Sequence, residues 1–95
     1  MSSERIARRA IVRGKVQGVW YRGWTVDQAT ELGLDGWVRN RLDGSVEWVA
    51  SGPADKIEML IERSRNGPPA ARVDSVDVEE TSGIVATGFG QKPTV

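Results

Sequence analysis

Apolar and polar residues alternate at the start of the chain with the period of a β-strand. The alternation covers residues 5–13, although Arg8 falls on the apolar face. The apolar positions on that face are Ile6, Ala10 and Val12. The pattern stops at residues 14–20, which contain two glycines and are predicted to form a loop.

A helical period replaces the strand period after this loop. We predict a helix over residues 21–32, because apolar or small residues recur there every three to four positions. Its buried face is predicted to carry Tyr21, Thr25, Gln28 or Ala29, and Leu32. Gly33 follows directly and is the kind of residue at which a helix ends.

A β-hairpin is predicted next. Residues 37–40 are typical of a strand, and Asp43-Gly44 is a common hairpin turn. The inner face of the returning strand is predicted to carry Val46, Trp48 and Ala50. Since Trp37 and Trp48 lie in these apolar strand patterns, we expect both to be core or sheet-face residues.

The second helix has clearer boundaries than the first. Pro53 suits its first position, Asp55 suits its first turn, and residues 66–69, with the sequence NGPP, end it. The apolar and small residues at helical spacing are Ile57, Leu60, Ile61 and Ser64.

Two further strands are predicted after this helix. Residues 72–80 carry three valines whose parity breaks once, and this break predicts a β-bulge. The last strand is predicted over residues 87–92, where two glycines flank Phe89. Gln91 falls at a position of that strand where an apolar residue is expected.

The order of the main elements is βαββαβ, which is the ferredoxin-like arrangement. We predict one α+β domain over residues 1–95, with two helices packed on one face of an antiparallel sheet. Many unrelated functions use this fold, so function has to be argued from individual residues.

The composition excludes several kinds of catalytic site. The 95 residues include no cysteine and no histidine. Thiol nucleophiles, disulfides, the usual general base and the commonest zinc ligand are therefore excluded. Any catalysis has to use arginine, lysine, amides, carboxylates, hydroxyls or backbone groups.

Charge gives expectations about partners and location. The chain has 13 basic and 13 acidic residues, so we expect no nucleic-acid partner and no membrane partner. The first ten residues, MSSERIARRA, carry charges where a signal peptide requires an apolar stretch. We expect a cytoplasmic protein and, by default, a monomer.

The loop has features of an anion-binding site. Gly14 and Gly18 permit positive φ and a close approach of the backbone to a ligand. A strand-to-helix connection directs N–H groups to one point, beside the positive end of the helix dipole. Arg22 lies at that helix start, where a guanidinium can hold two phosphate oxygens. Short glycine motifs also recur by chance, so these features alone favour an ordinary turn with a surface arginine.

Asn40 is a second candidate, at the end of the strand that precedes the hairpin turn. Its amide has one acceptor and two donors, and can orient a water molecule without a change of charge. The alternative is a turn-capping residue, which is the common role of an asparagine before an Asp-Gly turn.

Taken together, two segments resemble the signature sequences of the acylphosphatase family. They are residues 12–22, VRGKVQGVWYR, and residues 36–46, GWVRNRLDGSV. The resemblance continues through Gly52-Pro53 and residues 67–73, GPPAARV, and so covers nearly the whole chain in order.

The resemblance implies a specific activity, the hydrolysis of acyl phosphates to a carboxylate and inorganic phosphate. It implies that Arg22 holds the phosphoryl group and that Asn40 positions the attacking water. Backbone N–H groups of the loop are implied to bind the phosphoryl group at Lys15, Val16, Gln17, Gly18, Val19, Trp20, Tyr21 and Arg22. No metal, cofactor or covalent intermediate is implied. Inorganic phosphate, as the product, is expected to inhibit.

Some residues near the loop have open roles. Tyr21 stands where the family more usually has phenylalanine, which adds a hydroxyl whose environment the sequence does not define. Trp20 and Trp24 flank the loop, and they either form a wall of the pocket or serve only packing.

Two other functions compete with the enzyme. The same loop could hold a phosphate-bearing ligand without turnover, although a binding module has no evident need for Asn40. RNA-binding domains share the βαββαβ order but stack bases on aromatic residues of the two central strands. Here the first strand has no aromatic residue and the third has only Trp48. We therefore favour the enzyme.

Overall fold

The computed structural model describes residues 4–82 and 85–95. The strands are β1 (Arg5–Lys15), β2 (Asp35–Asn40), β3 (Val46–Pro53), β4 (Arg72–Glu80) and β5 (Phe89–Gln91). The helices are α1 (Tyr21–Glu31) and α2 (Ala54–Asn66). Residues 1–3, at the start of the charged N-terminal segment, lie outside the described residues.

The strands form one sheet in the order β4-β1-β3-β2-β5. The pairs β1–β3, β1–β4 and β2–β3 are antiparallel, whereas β5 runs parallel to β2. The predicted ferredoxin-like fold is confirmed, but the sheet is mixed and not purely antiparallel. β5 is also shorter than the predicted 87–92, and it begins after Gly88, whose φ of 88° lies outside the β region.

The core lies between the sheet and the two helices. The sheet contributes the buried side chains of Ala10, Val12, Val38, Val46, Trp48 and Ala50. The helices contribute Tyr21, Thr25, Ala29, Ile57, Leu60 and Ser64. The Trp48 indole N–H donates to Ser64 Oγ at 3.1 Å, so a hydrogen bond ties the central strand to α2 inside the core. Of the two candidates on the first helix, Ala29 is buried and Gln28 is not.

The helix boundaries follow local backbone chemistry. α1 ends before Gly33, which has a φ of 71°, as the sequence predicts. The prediction for Pro53 is wrong by one residue, because Pro53 is the N-cap of α2 and the last residue of β3. Neither helix in the described part of the chain is long and apolar enough to cross a membrane.

Gly14 serves strand packing. The register of β1 against β4 shifts between Arg13 and Gly14, which confirms the predicted bulge. A Cβ on Gly14 would lie 2.2 Å from the carbonyl oxygen of Arg72, and the φ of Gly14 is 133°. Contrary to the expectation from the sequence, the space beside this glycine is taken by the backbone of β4 and is not left for a ligand.

The sheet face away from the helices contains a buried carboxylate, Glu47. Glu47 precedes Trp48 on β3, so its side chain points to the opposite face of the sheet, where it is only 2% exposed. Arg9 and Arg39 each donate a hydrogen bond to it, the latter at 2.7 Å, and Arg41 lies 3.6 Å away. Desolvation favours the neutral acid, but Arg39 and Arg9 outweigh it and lower the pKa of Glu47 below its ordinary value of 4.5.

We expect Glu47→Gln to lower the free energy of unfolding by about 1–3 kcal/mol at pH 7, since three arginines lose their common partner. A carboxyl group whose pKa is lowered in the folded state stabilises the fold at pH values above its ordinary pKa. This stabilisation is lost as the pH falls below the ordinary pKa and through the pKa of the folded state. The difference between wild type and variant should therefore shrink below about pH 4.5. Urea unfolding from pH 7 to pH 3.5 measures both effects.

Glu79→Gln is the matched control, because Glu79 binds the same Arg9 but is 62% exposed. Its stability should change little across the same pH range. An equal loss in the two variants at pH 7 would contradict the importance assigned to the buried carboxylate.

Candidate functional site

A small pocket opens where the loop after β1 meets the end of β2. Its volume is about 130 Å³. It is lined by Val16, Gly18, Trp20, Tyr21, Arg22, Gly23, Asn40 and Gln91. β1 and β2 both run antiparallel to β3, so their carboxyl ends lie at the same edge of the sheet. This topology brings Arg22 and Asn40 to one pocket.

A larger groove of about 450 Å³ runs along β5, but few of its lining side chains could bind an anion or act in catalysis. Among its described lining residues Lys92 is the only charged one, and the Lys92 ammonium lies 4.8 Å from the centre of the Trp37 ring. Neither Arg22 nor Asn40 lines this groove. The smaller pocket is therefore the candidate site.

The loop presents backbone donors beside a helix start. Gly18 has a φ of 75° and Trp20 a φ of 67°, and α1 begins directly afterwards. The N–H groups of residues 17–20 donate no hydrogen bond to the described parts of the chain. The first turn of α1 has no acidic residue and no side-chain cap, so its positive end is not neutralised locally. Such an arrangement favours an anion.

Arg22 is half-buried at the start of α1, and its guanidinium has no partner within residues 4–82 and 85–95. Every other arginine in these ranges has a carboxylate oxygen within 4.0 Å. A half-buried guanidinium that the protein leaves without a counter-ion is available to an anionic ligand.

Asn40 is half-buried at the end of β2, across the pocket from the loop. The hairpin turn that follows is capped by Asp43, which accepts hydrogen bonds from the Ser45 hydroxyl at 2.6 Å and the Ser45 N–H at 2.9 Å. These two bonds lower the pKa of Asp43. The contacts of a turn cap thus belong to Asp43, and the Asn40 amide makes no hydrogen bond to any described residue.

Gln17 connects the loop to the hairpin turn. Its side-chain amide donates to the carbonyl oxygens of Arg41 and Ser45, both at 2.8 Å. The sequence assigned Gln17 only a backbone N–H in the site, and it gave no signal for this side-chain contact, which depends on the fold. Gln17 is a positioning residue, since it fixes the distance between the loop and the strand that carries Asn40.

Tyr21 anchors the start of α1 from inside the core. Its hydroxyl donates to the Ser64 carbonyl at 2.6 Å, and the side chain is 1% exposed. Burial raises the pKa of Tyr21, and the hydrogen bond offsets this only in part. The ring of Trp24 packs against it, with 5.3 Å between ring centres. The hydroxyl is therefore hydrogen-bonded within the core, and it orients the first turn of the helix.

The remaining predicted loop residues are placed differently from one another. Lys15 is the last residue of β1 and pairs with Arg72, so the loop begins two residues later than the predicted 14–20. The Val19 side chain packs against the core. Gln91 was not assigned to the site, yet it lines the pocket. Its polar side chain in an apolar strand position was the signal that could have indicated this.

Several known proteins resemble this chain in sequence and in fold. The family model described as acylphosphatase matches residues 8–90. A relative named acylphosphatase from Rhizorhabdus wittichii is 72% identical over 92 residues, which cover 97% of this chain and 93% of the relative. Another, from Rhodospirillum rubrum, is 52% identical and covers 88% and 92%. The structure of an acylphosphatase from Coxiella burnetii is similar with a TM-score of 0.89, 40% identity and 93% of each chain covered.

We expect Gln17→Met to lower the free energy of unfolding by about 1–2 kcal/mol, since the Arg41 carbonyl loses its side-chain donor and the Ser45 carbonyl keeps only the Arg41 N–H. It should also weaken the binding of inorganic phosphate by about tenfold, because small misplacements of a positioning group are costly. Urea unfolding and titration calorimetry with phosphate measure the two effects.

Gln28→Met provides the control, because Gln28 accepts one hydrogen bond, from Arg63, on the far part of α1. That variant should retain phosphate affinity. Wild-type phosphate affinity in Gln17→Met would show that the contact to the turn does not position the loop.

Proposed function

This chain belongs to the acylphosphatase family, and we propose that it hydrolyses acyl phosphates, which are carboxyl-phosphate anhydrides, to a carboxylate and inorganic phosphate. The observation that carries the proposal is that the Arg22 guanidinium and the Asn40 amide line one pocket, and that neither has a partner among the described residues. One group suits the phosphoryl anion and the other suits a neutral nucleophile. A site for turnover needs both.

The phosphoryl group is held by the loop and by Arg22. Its oxygens accept hydrogen bonds from backbone N–H groups of residues 15–22, which supply a phosphate-binding loop. Two observations support this step: the donors of residues 17–20 have no acceptor in the described chain, and the adjacent end of α1 lacks a negative group. The Arg22 guanidinium adds a full positive charge and a planar pair of donors.

The attacking water is positioned by Asn40. Its amide oxygen accepts a hydrogen bond from the water, which directs a lone pair of the water toward phosphorus. The availability of this amide supports the role, because Asp43 and not Asn40 makes the capping contacts of the turn. The amide is neutral at every pH of interest, so the water is oriented and not deprotonated by it.

The reaction needs no acid and no base from the protein. The water oxygen forms a bond to phosphorus as the bond from phosphorus to the carboxylate oxygen breaks, and the carboxylate leaves with the electron pair. A proton of the water passes to a phosphoryl oxygen of the substrate. Carboxylate is a good leaving group, so the catalyst has only to fix geometry and stabilise charge on a loose phosphoryl transition state.

The alternative is a module that binds phosphate-bearing ligands without turnover. It would bind phosphate with the loop and Arg22 in the same manner, but it would assign no role to the Asn40 amide. We therefore favour hydrolysis. We also propose that the protein works as a monomer in the cytoplasm on a diffusible small molecule, with inorganic phosphate as product and inhibitor. Equal numbers of acidic and basic residues support a small-molecule ligand over nucleic acid.

Arg22→Ala should lower the rate of acetyl phosphate hydrolysis by about 10³-fold or more, because a charge-assisted contact that strengthens in the transition state is lost. Inorganic phosphate should inhibit the wild type competitively and the variant far more weakly. Arg22→Lys should restore little, since an ammonium lacks the planar fork. Arg65→Ala, which removes an exposed arginine on α2, is the control. Near-normal hydrolysis by Arg22→Ala would refute the assignment.

Asn40→Ala should separate catalysis from binding. If its amide only orients the water, kcat should fall by about 10²–10⁴-fold while the inhibition constant of phosphate changes little, because the lost interaction counts toward the barrier and not toward ground-state binding. Steady-state kinetics with phosphate as inhibitor gives both values, and a urea midpoint reports stability. A variant that is less stable but fully active would make Asn40 a structural residue. Wild type that binds phosphate without turnover would favour the binding module.

A further inference from the structure

Trp20 is an exposed aromatic residue at the mouth of the pocket. Its side chain is 63% exposed, and it is the one non-glycine residue with positive φ among those described. Trp24, the neighbouring tryptophan, is half-buried and packs on Tyr21. Of the two tryptophans that flank the loop, Trp20 is the more exposed.

The pocket is too small for a phosphoryl group together with a large acyl group. Its volume of about 130 Å³ is well below the roughly 300–1,000 Å³ of sites that enclose drug-sized ligands. A phosphoryl group bound by the loop and Arg22 would therefore leave the acyl group of the substrate at the mouth. The exposed indole of Trp20 is the large apolar surface there.

The indole is seated against Gly23. A Cβ on Gly23 would lie 2.2 Å from Trp20 Nε1, 2.7 Å from Cε2 and 2.8 Å from Cδ1, so a side chain at this position would displace the ring. Gly23 lies inside α1 without positive φ, where alanine is the better helix former. The glycine makes room for the ring of Trp20 and so permits its position beside the pocket.

From this geometry we propose that the Trp20 indole binds the acyl group, and that the site selects acyl phosphates whose acyl group is aromatic. The inference rests on the proposed acyl phosphate hydrolysis and specifies its substrate class. An aromatic acyl group gains face or edge contact with the indole, whereas a methyl group gains little. Trp20 is thus a specificity-determining residue.

Two non-hydrolysable analogues isolate this contact from the chemistry. Phenacylphosphonate and acetonylphosphonate replace the bridging oxygen of benzoyl phosphate and acetyl phosphate with a methylene group, and they differ only in the acyl substituent. Titration calorimetry on the wild type should give about threefold to tenfold tighter binding of phenacylphosphonate. The readout is the ratio of the two affinities, because a change in the loop backbone affects both ligands alike.

Three variants test the assignment. Trp20→Gly suits the positive φ at this position and should bring the ratio to about 1–2, whereas Trp20→Phe should keep most of the preference. Gly23→Ala keeps the ring but displaces it, and should lower the ratio without removing an aromatic residue. Trp37→Leu is the control, since Trp37 lies under Arg39 and Lys92 away from the pocket, and should leave the ratio unchanged.

The outcomes distinguish this inference from the function on which it rests. A wild-type ratio near one, or an unchanged ratio in Trp20→Gly, would overturn the role of Trp20 while the phosphoryl site stands. Failure of the wild type to bind either phosphonate would overturn both. The ratio of kcat/KM for benzoyl phosphate over acetyl phosphate should fall in parallel in Trp20→Gly.

Discussion

The site depends on the connection between the carboxyl ends of strands β1 and β2, which lie at the same end of the sheet. β1 and β2 both pair antiparallel with β3, so the loop after β1 and the turn after β2 meet there. The Gln17 amide spans this meeting point through two hydrogen bonds of 2.8 Å to carbonyls on either side of the turn. Because buried or half-buried hydrogen bonds are strongly directional, this bridge fixes the loop relative to Asn40. The pocket geometry follows from that one connection and from the pairing that permits it.

The distribution of charge over the molecule is as important as its total. Acidic and basic residues balance in number, and along the sheet nearly every arginine is used by a carboxylate. Glu47 alone is shared by Arg9, Arg39 and Arg41, which keeps three positive charges occupied on the face away from the helices. Arg22 is the exception within the described residues, and it lies where loop donors and the end of α1 add to its field. A neutral protein can therefore hold a strongly anion-selective site.

Sequence patterns were sufficient for local structure and insufficient for contacts between distant segments. The periods of β1, α1 and α2, and the glycine after α1, predicted these elements to within one or two residues. The sequence could not predict that β5 pairs parallel to β2, that the Gln17 side chain contacts the hairpin turn, or that Gln91 lines the pocket. Each of these features depends on which segments the fold brings together. Gly14 illustrates the same limit. Its conformation was predicted correctly, but the group that comes close to it is the backbone of β4. The roles of Arg22 and Asn40 rest on resemblance and on their placement in one pocket.

The outer edge of β4 has a consequence for behaviour at high concentration. This strand is nine residues long and forms the open edge of the sheet, and such edges can recruit a second chain and start aggregation. Four exposed carboxylates lie along it, at Asp74, Asp77, Glu79 and Glu80, and the bulge at Arg13 and Gly14 interrupts its register. Each of them also pairs with an arginine of β1 or β4, so an incoming strand would have to pack among charged side chains on a bent ladder. The outer side of β4 thus protects the fold against edge-to-edge polymerisation, while its inner side pairs with β1.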